Sequence, residues 1–210
     1  EMFFDLEKSY FIKASKSQGE RWLAEIAKAA STEYVWIYDE DTSLWHHLIT
    51  EKEDLIDPKE GVVRHKLLIP LAFRNPPGKN AFHYHIHPNG SQEALLNHPD
   101  FKADEYTPQV LQVRAQLPSA EDIESAAHLL GGGYKSGYSG FKIVTTLGIT
   151  SIEYNFTEAI KAGALGTMNL SYEDLLEAIK SEGVLGGIKD QIERWNSYLK
   201  GGWKISFEPF

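Results

Sequence analysis

The stretch Phe82-His-Tyr-His-Ile-His-Pro88 places three of the chain's eight histidines at alternating positions, namely His83, His85 and His87. In a β-strand every second side chain lies on the same face, so the alternation predicts a strand with three imidazoles on one face. Two neutral imidazoles two residues apart on such a face can bind one metal ion, because the strand holds them rigidly. The stretch therefore predicts a strand over residues 81–87 and a candidate metal site on it.

The elements predicted around this strand are mixed. A helix over residues 17–30 begins with Ser17 and Glu20 at capping-box spacing, and a β-branched and aromatic strand over 33–38 follows it. The remaining predicted elements are strands at 44–49 and 62–73, a polar, proline-containing segment up to 117, a helix at 119–130 that ends at Gly131-Gly-Gly133, a hairpin at 141–154, helices at 172–180 and 185–199, and a strand at 203–207. Because strict β-α-β alternation is missing, we predict the α+β class, with a mixed sheet flanked by helices.

Composition narrows the classes of function. The chain has 210 residues, a formal net charge of −9 and no cysteine. The length suits one domain, and the absence of cysteine excludes a disulfide scaffold, a thiolate nucleophile and a cysteine-ligated zinc centre. The acidic balance argues against a nucleic-acid partner. No apolar stretch approaches the ~20 residues that span a bilayer, and no signal peptide is visible, so we expect a cytoplasmic protein without a membrane segment.

A metal site on the histidine strand needs a third ligand, which must be a carboxylate or another histidine. Spacing alone leaves several acidic candidates open: Glu93, Asp100, Asp104, Glu105 and Asp122. Ser119 and Asp122 lie three residues apart at a predicted helix start, so both side chains can point the same way from the first turn. The same Ser-x-x-Asp spacing is also a common helix cap, and it recurs at Ser171-Tyr-Glu-Asp174.

Taken together, Phe82-His-Tyr-His-Ile-His-Pro88 and Pro118-Ser-Ala-Glu-Asp-Ile123 resemble the signature of the JAMM (MPN+) metalloproteases. In that family a Glu on an early strand is followed by His-x-His-Pro and then by Ser-x-x-Asp at a helix start. The order of elements over residues 17–154 is also similar. The resemblance implies a single MPN-like domain over 1–210, with three α/β/α layers around a curved mixed sheet and with C-terminal helices at about 172–199.

The resemblance also implies a chemistry. His85, His87 and Asp122 would bind Zn²⁺, and Glu33 would be the general base, with Glu60 and Glu40 as weaker alternatives. Ser119 would donate a hydrogen bond to the oxyanion of the substrate, while His83 falls outside the motif. The implied activity is hydrolysis of amide or isopeptide bonds, and the implied substrate is ubiquitin, a ubiquitin-like protein or a related peptide tail.

One departure from the family pattern is the distance between the two motifs. The family usually has seven residues between the second His and the Ser, whereas 31 residues, 88–118, intervene here. Either this segment is an insertion, for example a flap over the site, or the true ligand is Asp100. An insertion is physically tolerable because a longer surface loop adds little closure entropy.

Three other interpretations compete with the hydrolase. A non-catalytic scaffold of the same fold would use its helices to bind partners and would not need the two His, the Ser and the Asp. A cupin-like metal enzyme would use His85, His87 and Glu93, but it should contain many short strands and little helix. A plain binding module would merely contain a histidine-rich strand.

Overall fold

The computed structural model of the chain describes residues 3–5, 9–48, 52–59, 62–67, 75–101, 106–130, 137–155, 157–158, 172–199 and 202–210. Over these residues the chain forms ten strands and five helices. In chain order they are β1 (Phe3–Asp5), β2 (Ser9–Lys13), α1 (Lys16–Ala29), β3 (Val35–Asp39), β4 (Leu44–Leu48), β5 (Lys52–Asp57), β6 (Val62–Leu67), β7 (Ala81–Ile86), α2 (Asn89–Leu96), α3 (Pro108–Gln116), α4 (Ala120–Leu129), β8 (Gly140–Val144), β9 (Gly148–Tyr154), α5 (Tyr172–Tyr198) and β10 (Trp203–Pro209).

Eight of these strands form one mixed sheet in the order β1-β2-β4-β3-β7-β8-β9-β10, and β5 pairs with β6 in a separate two-stranded sheet. Strands β7 and β8 run parallel, whereas the other recorded pairs in the large sheet are antiparallel. A parallel pair cannot be joined by a tight turn, so the chain needs a crossover between them. Helices α2, α3 and α4 supply it. The predicted α+β class with a mixed, helix-flanked sheet is confirmed.

The two faces of the sheet bury two separate hydrophobic clusters, because side chains alternate along each strand. Trp36 and Tyr38 of β3 pack in the cluster that also contains Leu23 of α1. Their neighbours Val35 and Ile37 belong to the other cluster, which contains side chains of α3, α4 and α5. The chain is thus layered as helix, sheet and helices. We call the two sides the α1 face and the α3–α5 face.

The first helix begins one residue earlier than predicted, and the predicted cap is wrong. Ser15 caps α1: its hydroxyl accepts a hydrogen bond from Gln18 N, and the Gln18 side chain accepts one from Ser15 N. Glu20 is not part of this cap, and its carboxylate accepts a hydrogen bond of 2.9 Å from the buried Tyr84 hydroxyl. Both Ser15 with Gln18 and Ser17 with Glu20 fit the capping pattern. The second pair does not form a cap because Glu20 bonds to Tyr84 of the sheet.

The segment between the two motifs differs most from its prediction. The sequence predicts a polar, proline-containing segment up to residue 117 with no helix assigned to it, and the structure contains α2 and α3 there. Thr107 caps α3 and Pro108 occupies its first turn, both of which are ordinary helix-start signals. Val110, Val113 and Leu117 are buried in the core of the α3–α5 face. In the described residues this segment is therefore a structural layer, and α3 is not a flap on the surface.

The other predicted boundaries agree to within a few residues where the structure describes them. The two C-terminal helices meet at Gly183, whose φ of 77° and ψ of −173° interrupt α5. The short strands β1, β2 and β5 have no counterpart in the prediction. Residues 68–73 of the predicted long strand, Ile49 and the stop at Gly131-Gly-Gly133 lie outside the described residues. Among the helices that the structure describes, none is long and apolar enough to cross a membrane.

Gly19 sets how closely α1 approaches the sheet. A Cβ atom at this position would overlap the indole ring of Trp45, which is fully buried. We predict that Gly19→Ala lowers the free energy of unfolding by about 1–3 kcal/mol, as overpacking does. An exposed glycine in a helix would instead gain about 1 kcal/mol from the same change.

Denaturant unfolding followed by circular dichroism measures this effect. Ser17→Ala is the matched control because Ser17 is exposed on the same helix, and its effect should stay within about 0.5 kcal/mol. A Gly19→Ala protein as stable as the wild type would contradict the close contact between α1 and Trp45.

Candidate metal centre

The pairing of β3 with β7 aligns the first side chains of the site. In this antiparallel pair Val35 lies opposite His85 and Ile37 lies opposite His83. Continuing the same register by two residues places Glu33 opposite His87, on the same face. Since Val35 and Ile37 belong to the α3–α5 cluster, the imidazoles and the Glu33 carboxylate face helix α4. Glu33 itself lies two residues before β3, whose first residue is Val35 and not Glu33 as predicted.

Four side chains converge at this end of the two strands. The Nε2 atoms of His85 and His87 lie 3.2 Å apart. From α4, Asp122 brings Oδ1 to 3.2 Å from Nε2 of His85 and Oδ2 to 3.3 Å from Nε2 of His87. Glu33 Oε1 lies 3.7 Å from Nε2 of His87. The His85 side chain is only 3% exposed, and those of His87, Asp122 and Glu33 are 13–15% exposed.

The backbone holds His87 in one orientation. Its Nδ1 lies 2.7 Å from the carbonyl oxygen of Ala115 in the last turn of α3. A carbonyl only accepts hydrogen bonds, so Nδ1 must carry a proton that it donates there. In the neutral ring the lone pair is then on Nε2, which points at His85 and Asp122. Metal-binding histidines are held in this way by a hydrogen bond from their other ring nitrogen.

Asp122 belongs to a capping box and to the cluster at the same time. The Ser119 hydroxyl accepts a hydrogen bond of 3.0 Å from Asp122 N, and Asp122 Oδ2 accepts one of 2.8 Å from Ser119 N. This is the structural role that the Ser-x-x-Asp spacing predicts. Because Oδ2 also faces His87, the cap aims the carboxylate at the two imidazoles.

These donor atoms fit a divalent metal ion. Glu33, His85 and His87 form a cluster that could hold an ion, with ligand atoms all within 4.8 Å of one another. The spacings of 3.2–3.3 Å between His85, His87 and Asp122 are tighter. Donors around a tetrahedral zinc ion at about 2.0–2.1 Å lie about 3.3 Å apart, so the two imidazole nitrogens suit two corners of such a site. Asp122 brings a different oxygen to each of them, Oδ1 to His85 and Oδ2 to His87, and either oxygen could serve as the third donor.

Burial and charge set the protonation of these groups when no metal is bound. Burial by itself lowers the pKa of His87, but the hydrogen bond and charge of Asp122, the charge of Glu33 and the Ala115 carbonyl raise it to about 9. Burial by itself raises the pKa of Asp122, and His85 and His87 together hold it well below its usual range. A proton on His87 therefore balances part of the carboxylate charge in the metal-free protein.

The other predicted ligands and bases do not join the cluster. Glu40 follows the far end of β3, seven residues and thus roughly 20 Å along an extended chain from Glu33. Asp100 is exposed after α2, where its N–H donates to His98 Nδ1. Glu93 is exposed on α2, so it does not complete a cupin-like set. The remaining candidates, Glu60, Asp104 and Glu105, lie outside the described residues.

His83 packs as a core aromatic residue. Its ring stacks on Phe141, with centroids 4.7 Å apart and an angle of 4° between the ring planes. Burial lowers its pKa to about 3, and the neighbouring His85 adds to that effect. Within the described part of the chain, neither ring nitrogen has a hydrogen-bond partner. His83 is therefore neutral and is separate from the cluster of ligand atoms.

Sequence reasoning missed the contribution of α3 to the site. The Ala115 carbonyl that orients His87 comes from a segment with no motif. Every residue has a backbone carbonyl, so the sequence does not indicate which one contacts the site. The helix-start signal at Thr107 and Pro108 was present, and it would have revealed a helix between the two motifs.

Comparisons of the chain with protein-family models, with curated proteins and with solved structures found no match. The likeness to the JAMM metalloproteases therefore stays a prediction from two short motifs. The distances within the cluster do not depend on this resemblance.

The raised pKa of His87 predicts a pH dependence for the metal-free protein. A histidine in an unfolded chain titrates near 6.5, so folding favours the protonated ring. This contribution to the free energy of unfolding is complete below about pH 6.5 and disappears as the pH rises through about 9. We expect a loss of up to about 3 kcal/mol over this window.

Urea unfolding of chelator-treated protein between about pH 6 and pH 9.5 measures the loss. His87→Gln is the control, and the difference between the two proteins isolates His87 from groups that titrate elsewhere. Parallel pH profiles for the two proteins would show that His87 is not protonated in the folded state.

Proposed function

We propose that this chain is a zinc-dependent hydrolase of amide or isopeptide bonds, with an MPN-like domain of the JAMM type. One observation supports this above all. Two histidine nitrogens and a carboxylate stand at 3.2–3.3 Å from one another, with a second carboxylate 3.7 Å from one of the nitrogens. Two His and one carboxylate leave one zinc position open, which is the pattern of catalytic sites and not of closed structural ones.

His85, His87 and Asp122 would hold the metal, and Glu33 would remain outside its ligand set. Bound zinc supplies Lewis acidity, which lowers the pKa of a water molecule towards about 7 and polarises a carbonyl group. Glu33 is the proton carrier in this proposal: its carboxylate accepts a proton from the attacking water and returns it to the departing amine. Its partial burial, at 15% exposure, favours proton transfer over exchange with bulk solvent.

Ser119 supplies a donor at the start of α4. Its oxygen already accepts the N–H of Asp122, and the hydroxyl proton is left to donate. We propose that this proton is donated to the oxyanion that forms when the carbonyl is attacked, as hydrogen-bond donors do in other hydrolases. The capping role and the catalytic role are compatible because they use different parts of the same hydroxyl.

The proposed substrate is ubiquitin, a ubiquitin-like protein or a related peptide tail linked to an amine. The net charge of −9 favours encounter with a basic partner surface. A non-catalytic scaffold has less support, since it has no use for two imidazoles and two carboxylates gathered at low exposure. The cupin-like alternative has less support too, because the described residues include five helices.

Zinc binding tests the ligand set. We predict one zinc ion per chain, lost in His85→Ala and in His87→Ala and weakened at least about tenfold in Asp122→Asn, because each change removes a ligand atom. Glu33→Gln should keep the ion. Metal analysis after dialysis and competition with a chromophoric chelator give stoichiometry and affinity. His83→Phe is the matched control on the same strand and should bind zinc like the wild type.

Two results would overturn this ligand set. Stoichiometric zinc in a protein that lacks His85, His87 and Asp122 together would place the ion elsewhere. Loss of zinc in Glu33→Gln with retention in Asp122→Asn would show that the metal uses Glu33, His85 and His87 instead.

Hydrolysis tests the proton carrier. With zinc bound, Glu33→Gln should lower kcat by about 10²–10⁴-fold, which is what a general base contributes. Ser119→Ala should lower kcat by about 10²–10³-fold through loss of an oxyanion donor. Cleavage of a fluorogenic ubiquitin amide and of isopeptide-linked diubiquitin are suitable assays, with Glu40→Gln at the far end of β3 as the control. Unchanged turnover in zinc-loaded Glu33→Gln would exclude Glu33 as the base.

A further inference from the structure

His87 is fixed from two sides. Its backbone N–H donates to Val144 O at 3.1 Å, which ties it to β8. Its ring Nδ1 donates to Ala115 O at 2.7 Å, which ties it to α3. The two acceptors come from elements that are separate in the chain. The ring can be held steady only if the end of α3 is itself held against β8.

Two residues make that connection, and each is the next one along the chain from an acceptor. Thr145 follows Val144, and Gln116 follows Ala115. The Thr145 hydroxyl hydrogen-bonds with Oε1 of the Gln116 side chain. Three hydrogen bonds and the intervening peptide bonds therefore form a closed ring. It runs from His87 N–H to Val144, Thr145, Gln116, Ala115 and back to His87 Nδ1.

Both members of the connection are buried and bonded further. Gln116 and Thr145 are each 1% exposed. The hydroxyl of Thr150 on β9 donates to Gln116 O, and Gln116 Nε2 donates to Gln112 O at 3.3 Å. On the other side, Thr145 Oγ1 accepts a hydrogen bond from Gly148 N and lies 2.9 Å from Gly148 O, so its one hydroxyl proton is shared between that oxygen and Gln116 Oε1. Buried polar groups joined in this way cost free energy when one member is removed, so the connection resists movement.

The last turn of a helix has carbonyl groups without partners inside the helix. The Ala115 carbonyl is one of them, so its direction depends on how the end of α3 is anchored. Gln116 anchors this end through its side chain and its own carbonyl. We infer that Gln116, together with Thr145, is a positioning residue that aims the Ala115 carbonyl at His87 and so keeps Nε2 of His87 directed at the metal.

This inference deepens the proposed function and rests on the metal centre. It assigns a role to residues outside both motifs, one of them in the segment predicted to be an insertion. Neither side chain is expected to touch metal or substrate. Their effect is on the affinity for the ion, through the hydrogen bond that orients the ligand.

The test uses the full chain with two near-isosteric substitutions, Thr145→Val and Gln116→Met. We expect each to weaken zinc affinity about 10–100-fold, which is typical when a group that orients a metal ligand is lost. Thr145→Ser keeps the hydroxyl and should retain the wild-type affinity to within a factor of about three. Ile205→Val, in the buried core at β10, is the control for a general loss of stability, with the melting temperature measured for every variant.

A second measurement does not depend on zinc. A ring N–H that is held in a short hydrogen bond to a backbone carbonyl exchanges slowly with water, so the Nδ1 proton of His87 should give a protected NMR signal in the metal-free wild type. We expect that signal to be lost in Thr145→Val and Gln116→Met and kept in Thr145→Ser and Ile205→Val.

The outcomes separate the two proposals. If the wild type shows the protected signal and the variants lose it, but no protein binds zinc, the proposed function fails and the positioning role stands. If the wild type binds zinc and both variants bind it as tightly, or weaken no more than Ile205→Val at equal melting temperature, the positioning role is overturned. A protected signal that survives in Thr145→Val and Gln116→Met overturns it too.

Discussion

The cluster of imidazoles and carboxylates exists because β3 pairs with β7 in one particular register. That register sets Val35 opposite His85, and the two-residue period of a strand then carries Glu33 and His87 to the same face. A shift of one residue would send these side chains to the α1 face, where aromatic residues such as Trp36 pack against the first helix. The large aromatic side chains on the α1 face therefore stabilise this register. The same register keeps the imidazoles on the α3–α5 face.

Charge balance explains why these groups can be buried together. Two carboxylates and two imidazoles at low exposure need a compensating positive charge, because an unpaired buried charge is costly. In the metal-free protein the raised pKa of His87 provides it as a proton. A divalent ion in the same place would supply a larger positive charge and would displace the proton from His87. Metal affinity would therefore depend on pH.

The crossover between the parallel strands β7 and β8 does more than connect them. It carries α4, whose capping box aims Asp122, and α3, whose last turn orients His87. The length of the segment between the motifs is thus compatible with an intact cluster, since its described helices form a layer over the sheet and do not separate the ligands. The same capping hydrogen bonds stabilise a helix and direct a carboxylate, so the structural and functional interpretations of Ser-x-x-Asp are compatible.

Residue types alone were enough to predict the α+β class, the histidine strand and the helix that Ser119 caps, because periodicity and capping are local properties. They also predicted a metal site on the histidine strand but left several acidic residues open as the third ligand. Asp122 and Glu33 were singled out only by the resemblance to the JAMM signature. Choosing among the acidic residues required the folded chain, since distances between strands and helices depend on pairing and packing. Packing likewise set Glu20 against Tyr84 and away from the first cap. The Ala115 carbonyl that orients His87 could not be predicted at all, because every residue has such an oxygen and its direction follows from how α3 packs.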